Sequence, residues 1–351
     1  MFLQASELQH PGLANKPRIG LVSGPRQPCS SPHMVTMMGS VPSYDLHGSV
    51  CVVTGGSRGL GKGIALELAA AGGIVYLTGR STATQKAEVL LAGSVDETAA
   101  QASRRGGQGI ASYVDHTLDY EGRQFVDLIA KNHGRIDILV NNAFLLSKPD
   151  SLFFGKPVWQ QPCRFFDEQF CVGARNHVFL TMLCRPLMTG PGATIVNVSS
   201  GGSQGNTTVF PIAYHVNKAC YDRMMAALSL HASLVRGHQL QKKTSICMLT
   251  LWPGTVSTER MVVGKRHFAG WLTDPETTEF TGRAVVALSR LSAEARLRLS
   301  GRTISSAEVL FMTGGHDVDG YRHDMYKETM FSAALCTPSH VAPTTRVQTV
   351  A

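Results

Sequence analysis

Thr54-Gly55-Gly56-Ser57-Arg58-Gly59-Leu60-Gly61 is the stretch that decides the fold of this chain. It follows an apolar run, Ser49–Thr54, with no intervening loop, and it opens onto Leu60–Ala71, whose small and apolar residues read as a helix. A strand that passes straight into a helix through glycines makes a tight turn, in which the backbone reaches positive φ and no Cβ keeps a ligand away. The helix start adds unpaired N–H groups and the positive end of the helix dipole, which together suit a phosphate or pyrophosphate. Glycines alone serve any tight connection. Between a buried strand and a helix they read as the phosphate turn of a dinucleotide-binding fold.

Outward from this turn, short apolar runs alternate with helical periodicity, the pattern of repeated βα units around a parallel sheet. Further strands are expected at Ile74–Thr78, Ile110–Val114, Arg135–Asn141, Thr194–Ser199, Thr244–Leu251 and Thr303–Leu310. Further helices are expected at Asp96–Arg105, Tyr120–Asn132, Arg164–Met188, Ala213–Val235 and Phe280–Leu291. Together they predict a single α/β domain over residues 45–326, Rossmann-type and doubly wound, with a seven-stranded parallel sheet and helices on both faces. Phe144–Cys163 and Thr255–Glu279 break the alternation, and both leave carboxyl ends of strands, where open α/β sheets bind ligands. Their Phe144, Leu145, Leu146, Trp159, Phe268 and Trp271 predict an apolar substrate, or else serve as lid packing.

Composition agrees with one globular α/β body: 351 residues, 43% hydrophobic and 17% charged, with 35 glycines. Charged residues such as Glu67, Arg80, Lys148 and Arg223 break the apolar runs before they reach the ~18–20 residues of a membrane-spanning helix, so a soluble protein is expected. The net charge of +8 is scattered, with no aromatic-and-basic stripe, so a nucleic-acid partner is not expected. The eight cysteines form no CxxC pair and mostly fall in apolar elements. They predict reduced core residues in an intracellular, cytoplasmic setting, with no metal site.

Residues 1–44 are rich in Pro, Ser, Gln and His, with Glu7 as the only acid and Lys16, Arg18 and Arg26 as bases. Disorder is the expectation there. A mitochondrial or other organellar address is the alternative, although the amphipathic pattern is poor, and Met34, Met37 and Met38 offer later starts. The tail 327–351 is expected to be loosely ordered.

Four more motifs follow in order. Asn141-Asn142-Ala143 ends the fourth strand, Ser199-Ser200 ends the fifth, Tyr214-x-x-x-Lys218 lies on the next helix, and Pro253-Gly254 with Thr258 follows the sixth. With the TGxxxGxG spacing at 54–61, this series resembles the short-chain dehydrogenase/reductase family from about Gly48 to Leu310. The resemblance implies cofactor contacts from Gly55, Ser57, Arg58, Gly59, Leu60, Gly61, Asn141, Ala143, Pro253, Gly254, Val256 and Thr258, with Asp115 at the adenine. It further implies that Ser200 hydrogen-bonds the substrate oxygen and that Lys218 holds the nicotinamide ribose. Pairing into a homodimer or homotetramer through the helices Arg164–Met188 and Ala213–Val235 is implied as well.

An acid at the end of the second strand would accept from the ribose 2′-hydroxyl of NAD, whereas a cation there accommodates the 2′-phosphate of NADP. Arg80 stands at that place and Arg58 adds a second guanidinium, so NADP(H) is the expected cofactor. The other reading makes both arginines surface residues. A phenol, of pKa ~10, works as an acid–base group near neutrality only if its anion is stabilised. Lys218 shares a helix face with Tyr214, and its ammonium, beside the positive charge of the nicotinamide, is expected to depress that pKa. The expected activity is NADPH-dependent reduction of an apolar ketone, aldehyde or quinone, or the reverse alcohol oxidation, with Tyr214 as general acid/base.

Three departures from the family pattern bear on this. The interval from Ser200 to Tyr214 is 14 residues, one longer than the family's, which leaves Ser199 and Ser203 as alternatives for binding oxygen. Gly173 stands where the family has an asparagine that joins a lysine–water proton relay; Asn176 is a candidate substitute, and Gly173→Asn is expected to be neutral or mildly activating where the side chain fits. Phe144 replaces the glycine of the usual Asn-Asn-Ala-Gly. They motivate a competing class, a non-catalytic NADP(H)-binding sensor or assembly subunit, against which the pair Tyr214 and Lys218 counts.

Overall fold

Strands β1 (Val50–Val53), β2 (Ile74–Gly79), β3 (Gln108–Tyr113), β4 (Ile138–Asn141), β5 (Thr194–Val198), β6 (Cys247–Trp252) and β7 (Thr303–Ser305) form one sheet in the order β3-β2-β1-β4-β5-β6-β7. Every pairing is parallel. This computed structural model describes residues 45–84, 91–145, 156–204, 210–238, 246–263 and 275–320. The expectations for 1–44, for the tail 327–351 and for Leu146, Phe268 and Trp271 lie outside them.

β1, β4 and β5 are buried from end to end, which is why their sequences are unbroken apolar runs instead of alternations. On one face the sheet packs under α1 (Gly59–Ala70), α2 (Val95–Arg104), α8 (Thr278–Arg290) and α10 (Ser306–Thr313), through Ile64, Leu68, Val285 and Val309. On the other lie α3 (Asp119–His133), α5 (Asn176–Cys184) and α6 (Ile212–His238), contributing Phe125, Ile129, Leu180 and Met225. Short helices α4 (Arg164–Phe170), α7 (Glu259–Val263) and α9 (Ala293–Leu299) complete the described set. α1 and α8 approach backbone to backbone at Gly63 and Gly282, since a Cβ on Gly282 would lie 2.7 Å from the carbonyl oxygen of Gly63. No helix among the described residues is long and apolar enough to cross a membrane.

The order of the sheet reverses at β1, which has β2 on one side and β4 on the other. Loops leaving β1 and β4 therefore diverge and open a crevice at the carboxyl ends of the strands, the place where such sheets bind ligands.

Three expectations about elements are corrected. The last strand ends at Ser305, not Leu310, because Ser305 and Glu308 form a reciprocal capping box that starts α10, which closes at Gly314 with φ 73°. α9 was not expected, although Ser292 caps it by accepting from the amide of Ala295 at 3.1 Å. The helix expected over Arg164–Met188 is broken into α4, a π-helical segment Cys171–Arg175, α5 and a 3₁₀ turn Arg185–Leu187 containing Pro186. Of the cysteines, Cys51, Cys184 and Cys247 are buried as expected, but Cys163 is exposed.

Candidate active site

The glycine turn is shaped from two sides. Gly55 and Gly59 have φ of 70° and 56°, open to glycine and strained for other residues. Thr54 Oγ1 accepts from the amides of Asn142 and Ala143, both at 2.9 Å, while Asn142 Nδ2 donates to the carbonyls of Thr54 at 2.8 Å and Gly55 at 3.2 Å. A Cβ on Gly55 would stand 2.9 Å from Ala143 Cα, and one on Gly61 would run into the Gly55 carbonyl. Sequence motifs 54–61 and 141–143 thus interlock at the reversal of the sheet. Asn142, which the sequence reading left without a role, is the residue that braces the turn.

The amide of Gly59 donates to Glu259 Oε2 at 2.9 Å. An anionic oxygen therefore sits on the amide of the first residue of α1, which shows that this end accepts negative charge. Thr258 stands beside it, its Cγ2 3.6 Å from where a Gly59 Cβ would be. Ser57 is buried under the turn, and Leu60 packs against the core. Val256 is buried and bridges to Glu276, which carries the segment from Pro253 and Gly254 past the crevice.

The two arginines differ. Arg80 is 40% exposed at the end of β2, its Nη1 a loose 3.9 Å from Asp115 Oδ2. Asp115 uses Oδ1 to accept from the amide and hydroxyl of Thr117, at 2.9 and 2.8 Å. Arg58 donates to the carbonyls of Ala92 at 2.9 Å and Gly93 at 3.1 Å and to Ser81 Oγ at 3.0 Å, so it clamps the chain after β2. Asn141 works inside the sheet. The register sets it beside Asn197, and its Nδ2 donates to Asn197 Oδ1 at 2.9 Å and Thr181 Oγ1 at 3.2 Å.

At the end of β5 the structure brings Tyr214 and Ser200 together: the phenol donates to Ser200 Oγ at 2.8 Å. The alternatives are occupied otherwise, since Ser199 Oγ donates to the carbonyl of Lys218 at 3.1 Å and Ser203 Oγ to Asp222 at 2.6 Å. The additional residue between Ser200 and Tyr214 falls in a stretch that begins with the 3₁₀ turn Gly201–Ser203. Phe210 stacks on Tyr214 at 4.6 Å between ring centroids, and Phe144 meets it edge-on at 5.6 Å. Phe210 was missed because an aromatic residue four positions before a tyrosine carries no spacing signal of its own. Trp159 is 82% exposed, so it packs no lid here.

Lys218 is buried and donates to the carbonyl of Val198 at 3.1 Å. Its Nζ lies 4.7 Å from the ring of Tyr221, 4.8 Å from Phe144 and 5.7 Å from Tyr214. Burial pushes Lys218 down to about 7, against the opposing pull of Asp222. Tyr214 keeps part of its surface exposed, yet the burial around its hydroxyl pushes the phenol up, while the hydrogen bond to Ser200 pulls it down. Burial dominates at the phenol, and the Lys218 ammonium is engaged at Val198; the depression expected beside a nicotinamide charge belongs to the cofactor-bound protein.

The helix break places Gly173 outside helical geometry, at φ −88° and ψ −106°. Its open side is filled from α6 by Asn217 and Tyr221, which a Cβ at 173 would overlap. The condition attached to Gly173→Asn, that the new side chain fits, is therefore not met. Asn176 is buried and its side chain hydrogen-bonds His116. His116 shares a hydrogen bond of 2.7 Å with Thr78, and His177 Nε2 donates to the carbonyl of Ala143 at 3.1 Å. Burial lowers the two imidazoles to about 4 and about 3, so both are neutral.

Comparison with known proteins agrees with this geometry. Residues 49–262 match the family model of short chain dehydrogenases. Dehydrogenase/reductase SDR family member 1 from Homo sapiens is 34% identical over 291 residues, covering 78% of this chain and 85% of that protein. Hydroxysteroid dehydrogenase-like protein 2 from Danio rerio is 26% identical over 308 residues, covering 80% of this chain and 66% of that protein. A short-chain type dehydrogenase/reductase structure from Mycobacterium marinum shares the fold, with a TM-score of 0.61 at 22% identity over 75% of this chain and 95% of its own. A glycine turn locked to Asn142-Ala143, a tyrosine bonded to a serine at the next strand end and a match over 49–262 lead to one assignment: this chain belongs to the short-chain dehydrogenase/reductase family of nicotinamide-dependent oxidoreductases.

Proposed function

We propose that the protein is an NADP(H)-dependent carbonyl reductase, or the reverse alcohol dehydrogenase, acting on an apolar ketone, aldehyde or quinone. The observation that carries this reading is the 2.8 Å hydrogen bond from Tyr214 to Ser200, with Lys218 one helical turn along. The Tyr214 hydroxyl would supply the proton to a developing alkoxide, and Ser200 Oγ stands ready to hold the same oxygen. Bound NADPH would supply the hydride. The amides of Gly55 and Gly56 are bound to Thr78 and that of Gly59 to Glu259, and close packing at Gly55 and Gly61 holds the turn in shape. The helix start at Ser57, Gly59, Leu60 and Gly61, where Glu259 already marks an anion site, suits the pyrophosphate of NADPH. Arg80, backed by Ser81 and Arg58, suits the 2′-phosphate, and Asp115 the adenine side. Asn141, Ala143, Pro253, Gly254, Val256 and Thr258 border the crevice, with Lys218 at the nicotinamide ribose. Phe144 and Phe210 beside Tyr214 favour an apolar substrate.

Tyr214→Phe should abolish NADPH oxidation across a panel of carbonyl compounds and leave NADPH binding nearly intact, whereas Lys218→Ala should damage both. Full turnover by Tyr214→Phe would overturn the assignment. Calorimetry should show NADPH binding at least ~10-fold tighter than NADH, a ratio that Arg80→Asp shrinks.

The second reading, an NADP(H)-binding sensor or assembly subunit, is favoured by Phe144 lying 4.8 Å over Lys218. It would gain if NADPH bound and no substrate were ever turned over. A homodimer or homotetramer is supported by Met182, Val216 and Leu230, which are 66%, 41% and 59% exposed on α5 and α6. Free cysteines at all six described positions favour a reducing compartment, cytoplasmic in the first instance.

A further inference from the structure

Gly173 is a notch with a tenant. Asn217 and Tyr221 are fully buried on α6, and the amide nitrogen of one and the hydroxyl of the other occupy the volume that a side chain at 173 would need. Asn217 is fully engaged at the break between α4 and α5. Its Oδ1 accepts from the amide of Ala174 at 3.2 Å, and its Nδ2 donates to the carbonyl of Gln169 at 3.0 Å and to the Tyr221 hydroxyl at 3.2 Å. One side chain thus satisfies backbone groups on both sides of Gly173 and also fixes Tyr221. Asn217 precedes Lys218 and Tyr221 follows it by nearly one turn, so whatever anchors these two residues anchors the lysine between them.

The consequence falls on the ammonium. Lys218 Nζ has the Tyr221 ring at 4.7 Å and the Phe144 ring at 4.8 Å, close enough for both faces to attract a cation. The titratable groups that bear on it are Asp222, which favours the charge, the neutral His177, and the phenols of Tyr214 and Tyr221, both held protonated by burial. Because burial weakens the ammonium, its charge at neutral pH depends on these neighbours.

We propose that Asn217 and Tyr221 are positioning residues for Lys218: seated in the notch that Gly173 leaves, they hold its ammonium against an aromatic face. This rests on Lys218 belonging to the catalytic pair, but the test reads the ammonium itself and needs no substrate. Protein carrying ¹³C at lysine Cε, with the Lys218 resonance assigned through Lys218→Arg, is titrated by NMR. In the unaltered chain Lys218 should titrate near 7. Tyr221→Leu removes the ring and should lower that midpoint by about one pH unit, while Tyr221→Phe keeps the ring and should stay within ~0.3 unit. A Tyr221→Leu midpoint equal to that of the unaltered chain would overturn the proposal.

A second series tests the notch. Gly173→Asn should lower the melting temperature, and its cost should be smaller in a Tyr221→Phe background, where the hydroxyl that a Cβ at 173 would meet is gone. Equal stability of Gly173→Asn and the unaltered chain would show that the notch is empty and end the proposal. Turnover enters neither readout, so a failed catalytic assignment would appear separately, as activity retained in Tyr214→Phe.

Discussion

A single amide shows how residues far apart in the chain share one site. Gly59 and Glu259 are 200 positions apart, yet the carboxylate of one sits on the N–H of the other, where an anion is most favoured. A pyrophosphate entering the turn must displace that charge. Glu259→Gln should therefore tighten NADPH binding several-fold, by roughly 1 kcal/mol, as measured by the change in NADPH fluorescence on titration. Unchanged affinity would show that the carboxylate yields its place without penalty. The same contact explains what sequence could and could not reveal. Tyr214, Lys218 and the glycines were legible because helical pitch and turn geometry translate spacing directly into proximity. Glu259, Asn142 and Asn217 were not, because their partners are set by how loops and helices meet, and no local pattern encodes that. Ser200 was legible only up to its neighbours, and it took the hydrogen bond from Tyr214 to separate it from Ser199 and Ser203.

Among the elements, the strands of the sheet were legible from their unbroken apolar runs, and the two failures have physical causes. Thr303–Leu310 has no glycine or proline to divide it, so a three-residue strand and the helix after it read as one element. The signal that separates them is Ser305-x-x-Glu308, whose reciprocal bonds at 3.0 and 2.9 Å satisfy two free amides. Ser305→Ala should lower stability by about 1 kcal/mol, and Glu308→Ala by a similar or smaller amount. Thermal unfolding should record a drop of about 2–4 °C for a domain of this size. No change would mean that packing of α10 makes its cap redundant. The other failure, the break at Gly173, needed knowledge of Asn217 and Tyr221 on a different helix. Helical periodicity runs straight through it.

For the molecule as a whole, acid should be the damaging direction. His116 and His177 have pKa values near 4 and 3 in the fold, below their unfolded value of ~6.5, so the unfolded chain takes up protons first as pH falls. Stability is then full above ~6.5 and declines as pH drops toward 4, by roughly 3 kcal/mol or more for each imidazole that stays neutral. Urea unfolding at about pH 7 and about pH 4.5 measures it, and a flat profile would show that the imidazoles are charged in the native state. Assembly is the other property at this scale. If α5 and α6 form the proposed interface, Val216→Glu with Leu230→Glu should convert a dimer or tetramer to monomer by light scattering, with little change in the fold. An unaltered chain that is monomeric at micromolar concentration would remove the interface.

The bare contact between Gly63 and Gly282 makes the phosphate turn answerable to a distant helix. α1 carries the turn's amides at one end, and its backbone meets that of α8 at Gly63 and Gly282. A methyl group at 282 must push the two helices apart, and the displacement is delivered to Gly59–Gly61 as surely as a shifted hinge moves the edge of a door. Variants of α8 would then surface in a genetic screen as proteins that fold and accumulate but hold their cofactor loosely, and a catalogue of harmful changes drawn only around the crevice would overlook them.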